Sequence, residues 1–218
     1  MFKHEVLGRI TGTGVVAIVR LDSADALERV ADAIQAGGVD VIEFTMTTPG
    51  ALGILELAAR KFGGRVVLGA GTVLDPESAR AAILAGAQFI VSPSLKRETI
   101  ELCHRYGVVA VPGVLSPTEI VTALEWGADL IKVFPASLGG PEYIKAVRAP
   151  LPQAPLVPTG GVELENAANY IRAGAVAVAV GSSLVNKKLV GAGDFARMTE
   201  LARRLVQEVQ AARAGMTR

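Results

Sequence analysis

One unit recurs along the whole chain: a short run rich in valine and isoleucine, a turn of small residues or proline, and then a longer segment with helical periodicity. Apolar runs of this length that alternate with amphipathic helices are typical of βαβ units and a parallel sheet. The runs that qualify as strands lie at residues 15–19, 39–44, 65–68, 89–91, 108–111, 130–134, 156–157 and 175–180. We therefore predict an α/β protein, with a short helix before the first strand and a long helix after the last.

Eight such units in 218 residues favour a single domain over residues 1–218, a (β/α)8 TIM barrel at the compact end of its size range. The alternative is an open, doubly wound sheet, which usually has fewer strands and often a glycine-rich fingerprint after the first one. Here the first strand is followed by Arg20-Leu21-Asp22-Ser23, which is not that fingerprint. The barrel is therefore the expected fold.

The composition argues against several classes of protein. The 22 basic and 21 acidic residues nearly balance, so we expect no nucleic-acid partner. A single cysteine, Cys103, excludes an intrachain disulfide, and without a cluster of metal-binding residues we expect no metal or other cofactor. No signal peptide or membrane-spanning stretch is recognisable, which predicts a cytoplasmic protein with no membrane partner. A hydrophobic content of 50% predicts an oligomer interface.

Lys132 is the most unusual charge in the sequence, because it lies in the apolar strand that ends in Phe134-Pro135. One face of that strand looks into the barrel and the other packs on helices, so neither is a favourable place for an ammonium group. A lysine desolvated by apolar neighbours loses affinity for its proton and becomes nucleophilic near neutral pH. A lysine that snorkels to solvent is the structural alternative. Its position near the carboxyl end of the strand favours catalysis.

Glu43 is the second unusual charge, in the strand Asp40-Val41-Ile42-Glu43-Phe44. A buried carboxylate needs a partner or a function. The second and sixth strands are both even-numbered, so they contribute to the same interior layer of a barrel from opposite sides. Glu43 and Lys132 are therefore predicted to face each other. They form either a structural ion pair or a nucleophile with its acid/base partner.

Two glycine-rich turns follow the seventh and eighth strands, where barrels often bind phosphate through backbone N–H groups and a helix N-terminus. They are Thr159-Gly160-Gly161 and Gly181-Ser182-Ser183, and either could also be a simple turn. Arg20 ends the first strand and is the candidate for binding a substrate carboxylate, because a guanidinium matches it bidentately. The alternative is an arginine in a surface salt bridge.

In combination, these motifs resemble the 2-keto-3-deoxy-6-phosphogluconate aldolase family, which also handles 4-hydroxy-2-oxoglutarate. The resemblance covers nearly the whole chain and rests on residues 17–20, 38–45, 69–73, 92–93, 112–114, 131–135 and 158–162. It implies a class I aldolase that forms homotrimers of barrels. Its substrate would be a small keto-acid phosphate, cleaved to pyruvate and glyceraldehyde 3-phosphate. Lys132 would form the Schiff base and Glu43 would be the acid/base.

The same resemblance implies how the substrate is bound. The pyruvyl pocket would be shaped by Thr72, Pro93, Phe134 and Thr159. The phosphate would be held by Gly160, Gly161, Gly181 and Ser182. One departure concerns the carboxylate, because some members place an arginine four residues after the glutamate, where this chain has Thr47. Other members use an arginine at the end of the first strand, and Arg20 fits that pattern.

The residues leave other functions open. An aldolase for the galactonate epimer or for 4-hydroxy-2-oxoglutarate would carry the same motifs. A phosphosugar isomerase or epimerase on this fold would need the acid/base pair but no imine. A catalytically inactive barrel that serves as a binding module would not depend on Lys132.

Overall fold

The computed structural model describes residues 1–20 and 26–216. Strands and helices alternate along the chain. The strands are β1 (Val15–Val19), β2 (Val41–Thr45), β3 (Val67–Gly71), β4 (Phe89–Val91), β5 (Val109–Val111), β6 (Gly113–Val114), β7 (Ile131–Val133), β8 (Leu156–Pro158) and β9 (Val178–Val180). The helices are α1 (Lys3–Thr13), α2 (Leu27–Ala36), α3 (Ala51–Phe62), α4 (Pro76–Leu84), α5 (Arg97–Arg105), α6 (Pro117–Glu125), α7 (Gly140–Arg148), α8 (Leu164–Arg172), α9 (Lys187–Ala192) and α10 (Phe195–Ala214). A short 3-10 helix, Ala136–Leu138, follows β7.

All paired strands are parallel and form two sheets. A curled six-stranded sheet has the order β5-β4-β3-β2-β1-β9, and a three-stranded sheet has the order β6-β7-β8. The predicted parallel α/β fold and its N-terminal helix are confirmed, whereas the eight strands expected in one barrel are divided between two sheets. Pro112 lies between β5 and β6 and has no N–H group to donate to a sheet ladder, which interrupts the strand there.

Two apolar clusters occupy the two faces of the strands. The larger lies between strands and helices and includes Ile131 and Val133 of β7. The smaller lies inside the curled sheet and includes Leu130, and Val6 and Ile10 of α1 pack against it. Residues of the β7 segment therefore alternate between the faces, as predicted from strand geometry, and Lys132 shares the inner face with Leu130.

Two helix starts at the strand ends are fixed by side-chain caps. Asp75 accepts a hydrogen bond from the N–H group of Ser78 at 2.6 Å at the start of α4. Ser116 and Glu119 form a reciprocal capping box at the start of α6. Both helices begin with a proline, whose missing N–H group has no intrahelical acceptor at that position. Across residues 1–20 and 26–216, no helix combines the length and apolarity needed to cross a bilayer.

Candidate active site

The two unusual charges of the sequence come together at one cavity of about 300 Å³. Glu43 lies on β2 and Lys132 on β7, and both line this cavity at the carboxyl ends of the strands. Every residue predicted to bind substrate lines the same cavity: Arg20, Thr72, Pro93, Phe134, Thr159, Gly160, Gly161, Gly181 and Ser182. The structure thus brings together side chains that lie up to 162 residues apart in the sequence, between Arg20 and Ser182.

Lys132 is almost fully enclosed, with 5% of its surface exposed. Burial lowers the pKa of its amine, because a desolvated ammonium is unfavourable; the Glu43 carboxylate raises this pKa and the Arg20 guanidinium lowers it further. Its Nζ atom lies 4.8 Å from the centre of the Phe134 ring. The net effect favours the neutral amine, which is the nucleophilic form.

Glu43 is also buried, with 2% exposure. Burial raises the pKa of its carboxyl group, whereas the charges of Lys132 and Arg20 lower it. The carboxylate makes no hydrogen bond and no ion pair within 4.0 Å in the described part of the chain, so it does not contact the Lys132 ammonium directly. A purely structural ion pair would show that contact. The two groups therefore interact through their charges without a direct salt bridge.

Arg20 reaches the cavity from the end of β1. Its Nη1 atom lies 3.7 Å from the position that a Cβ atom would have at Gly181, so the guanidinium sits beside the glycine-rich turn after β9. Among the described residues it forms no salt bridge, in contrast to the surface-pair alternative. Thr47, at the position where some relatives were expected to carry arginine, does not line the cavity.

Thr72 follows β3 with a φ of 60°, in the left-handed region. It is the one non-glycine residue in the described part of the chain with a positive φ. A β-branched side chain is strained in this conformation, and such strain tends to persist at functional sites. Thr72 lines the cavity in this conformation.

The turn after β8 is built from hydrogen bonds and glycines. The Thr159 N–H group donates to the Val133 carbonyl at 3.0 Å, and the Ser137 N–H group donates to the Gly160 carbonyl at 3.0 Å. A Cβ atom at Gly161 would lie 2.5 Å from that of Ser137, and φ there is 78°, so glycine is required. This turn leads directly into α8, whose N-terminal end therefore faces the cavity region.

Sequence reasoning missed several residues of the cavity wall. They are Ile18, Val162, Glu163 and Ala179. Ile18 and Ala179 belong to the apolar cluster inside the curled sheet, so strand alternation could have found them. Glu163 is the N-cap residue of α8 and lines the cavity because of the course of the preceding turn. No sequence pattern predicts the course of that turn.

Metal-binding chemistry has no visible basis in the part of the chain that is described. It contains no group of three histidine, cysteine, aspartate or glutamate side chains arranged to hold a metal ion. Cys103 is buried, and burial raises the pKa of its thiol to about 12, which leaves it unreactive at neutral pH.

A parallel α/β fold with a desolvated lysine near a buried carboxylate defines a class of enzymes in which an amine nucleophile works with an acid/base partner. Within that class, the family described as KDPG and KHG aldolase matches residues 6–201. The chain belongs to this family.

Its relatives agree with this assignment. The 2-dehydro-3-deoxy-phosphogluconate aldolase of Treponema pallidum is 39% identical over 206 residues, which cover 94% of this chain and 96% of the relative. The 2-dehydro-3-deoxy-6-phosphogalactonate aldolase of Escherichia coli is 39% identical over 172 residues, or 78% and 83% of the two chains. The crystal structure of KDPG aldolase from Legionella pneumophila, with pyruvate captured as a covalent carbinolamine, has a TM-score of 0.84 at 29% identity and covers 92% of this chain and 97% of that one. The predicted aldolase family is confirmed.

Proposed function

We propose that the protein is a class I aldolase that reversibly cleaves 2-keto-3-deoxy-6-phosphogluconate to pyruvate and glyceraldehyde 3-phosphate through an imine on Lys132. The observation that carries this proposal is the buried amine of Lys132, whose pKa is lowered, at a cavity of substrate size. The relative from Treponema pallidum, which is named for this reaction, supports the choice of substrate.

Lys132 is the nucleophile in the proposed mechanism. The neutral Nζ atom adds to the C2 ketone of the substrate, and loss of water from the carbinolamine gives an iminium ion. The iminium accepts the electron pair of the C3–C4 bond as that bond breaks, which leaves an enamine and releases the aldehyde. Protonation of the enamine at C3 and hydrolysis of the imine then yield pyruvate and restore the amine.

Glu43 is the acid/base in this scheme. As a carboxylate it takes the proton of the C4 hydroxyl during cleavage, and as an acid it returns a proton to C3 of the enamine. Its burial supports this role, since burial raises the pKa of the carboxyl group and so favours the protonated form that returns a proton to the enamine. Glu43 and Lys132 line the same cavity, so a substrate bound there would contact both groups.

The remaining cavity residues would bind the two ends of the substrate. Arg20 would pair with the carboxylate, and Thr72, Pro93, Phe134 and Thr159 would enclose the pyruvyl group. Backbone N–H groups in the turns of Gly160, Gly161, Gly181 and Ser182 would hold the phosphate. Arg20 lies beside the Gly181 turn, so its guanidinium adds positive charge on the side of the cavity where the phosphate would bind.

Trapping with borohydride tests the imine. Incubation with pyruvate and sodium borohydride should add one reduced pyruvyl group to the peptide that contains Lys132. Lys132→Met should form no adduct and lose cleavage activity, while the matched control Lys145→Met, on α7, should behave like the wild type. A protein that cleaves the substrate but forms no adduct would contradict the imine mechanism, and an isomerase or epimerase would form none either.

The galactonate epimer is the second candidate substrate. The Escherichia coli relative named for it is also 39% identical to this chain. The two epimers differ in the orientation of one hydroxyl group, so steady-state kcat/KM values for both compounds and for 4-hydroxy-2-oxoglutarate decide among them. A higher kcat/KM for the galactonate epimer would replace the gluconate assignment.

The finer architecture is proposed as one closed (β/α)8 barrel over residues 1–218, without a metal or other cofactor. The two sheets meet at Pro112, whose carbonyl accepts a hydrogen bond from the Lys132 N–H group at 2.9 Å. On the other side, Thr159 and Ala179 form a parallel bridge that joins β8 to β9. These contacts support closure at both edges.

We further propose a homotrimer that acts in the cytoplasm. Several large apolar side chains are exposed on the isolated chain and would suit a subunit interface, among them Leu74, Leu84 and Leu138. Sedimentation equilibrium should give three times the chain mass of 22.6 kDa. A monomeric mass at micromolar concentration would rule out the trimer.

A further inference from the structure

Gly71, the last residue of β3, lies directly beneath the side chain of Glu43. A Cβ atom at Gly71 would overlap Oε1 and Cδ of Glu43 and would lie 2.8 Å from its Cγ. Carbon atoms that are not bonded to each other do not approach so closely. The distal half of the Glu43 side chain therefore occupies the volume that any other residue at position 71 would need.

The strand register explains this contact. Glu43 on β2 pairs with Gly69 on β3, so Gly71 is its diagonal neighbour toward the carboxyl end of the sheet. The Glu43 side chain leans in that direction, toward the cavity. Gly69 is covered in a similar way by the ring of Phe89 from β4. The two glycines of β3 thus receive side chains from the strands on either side.

Packing against Gly71 also restrains the Glu43 carboxylate. In the described part of the chain this carboxylate has no hydrogen-bond partner and no direct ion pair, although it is 2% exposed. A buried carboxylate would usually be held by donors. Here the carboxylate lies against the backbone of Gly71, in the space that a side chain at this position would fill.

We propose that Gly71 is a positioning residue for the acid/base Glu43. Because Gly71 has no side chain, it leaves the space in which the Glu43 carboxylate lies at the cavity. This inference rests on the proposed function of Glu43. Gly71 lies in a strand and does not have a positive φ, so alanine can adopt its backbone conformation. The effect of Gly71→Ala should therefore act through the displaced Glu43 side chain.

A double-mutant cycle tests this coupling. Gly71→Ala should lower kcat for cleavage by about 100-fold or more, the usual contribution of a general acid/base, with a much smaller change in KM. In a Glu43→Ala background the same substitution should change kcat less than about threefold, because the atoms that it would overlap are gone. The pH profile of Gly71→Ala should also lose the limb that depends on Glu43. Gly53→Ala on α3 is the matched control, since a Cβ atom there meets nothing within 4 Å.

Three outcomes would overturn the proposal: wild-type kcat in Gly71→Ala, an equal loss in both backgrounds, or an unchanged pH profile. If Gly71→Ala does not fold, urea midpoints replace kinetics. Recovery of stability in Gly71→Ala/Glu43→Ala then supports the overlap with Glu43, whereas equal instability overturns it. The proposed function itself fails separately, if the wild type neither cleaves substrate nor forms the borohydride adduct.

Discussion

Replacing Arg20 by glutamine should move the pH dependence of imine formation to higher pH. Burial is the main reason why the pKa of Lys132 is lowered, and the Arg20 charge lowers it further. The pKa of Glu43 is raised by burial and is lowered in part by Lys132 and Arg20. Without the Arg20 charge, the pKa of both groups therefore rises. Lys132 attacks only as the neutral amine, so a given rate should then need a higher pH.

The size of the cavity sets the magnitude of this effect. A sphere of about 300 Å³ is roughly 8 Å across. Two unit charges separated by that width interact by about 1 to 2 kcal/mol at an effective dielectric constant of about 20 to 40. Because Arg20 is exposed and salt screens it, the lower value applies. At about 1.4 kcal/mol per pH unit, the profile should move upward by about one pH unit or slightly less.

The assay is the rate of borohydride-trapped adduct formation as a function of pH at saturating pyruvate. Saturation is necessary because Arg20 is also expected to bind the carboxylate, so its loss raises the pyruvate concentration required. Arg20→Lys is the control, since it keeps the charge and should keep the wild-type profile even where binding is weaker. The electrostatic role is refuted if the glutamine profile overlays the wild type, or if the lysine variant moves as far.

Strain and burial lead to two more predictions. Thr72→Gly removes a β-branched residue at φ 60°, so the free energy of unfolding should stay constant or rise by up to about 2 kcal/mol. The kcat/KM value should fall. A clear loss of stability in urea would contradict this prediction. Lys132→Met/Glu43→Gln removes both buried ionisable groups and should raise the free energy of unfolding at pH 7 by about 1 to 3 kcal/mol. The pKa of Lys132 is lowered in the folded protein, so this lysine makes the wild-type free energy of unfolding increase with pH between the lowered pKa and the ordinary value. The pKa of Glu43 is raised, so this glutamate makes the free energy of unfolding decrease with pH above the ordinary carboxyl value. Urea titrations across pH should show neither slope in the double variant.

Most of the strands could be predicted, because a parallel strand covered on both faces is a continuous apolar run. The third strand shows the limit. Its apolar run ends at Leu68, which predicts a strand over residues 65–68, yet β3 extends over Val67–Gly71. Gly69 and Gly71 are strand residues, because Phe89 and Glu43 fill the space where their side chains would be. The two-residue strand β6 was missed since Pro112 separates it from β5.

The candidate site was predictable where its residues are charged side chains in otherwise apolar strands. A lysine and a glutamate in apolar strands are unfavourable for folding, so their positions in the sequence point to function. Gly71 carries no such signal, because a glycine after an apolar run has an ordinary explanation as a turn. Its proposed role depends on the side chain of the neighbouring strand, 28 residues earlier in the sequence. A glycine that acts by leaving space for a neighbouring side chain is therefore recognised from the packing in the structure, not from the sequence pattern. Substituting the glycine together with that side chain distinguishes this role from a general need for glycine at the position.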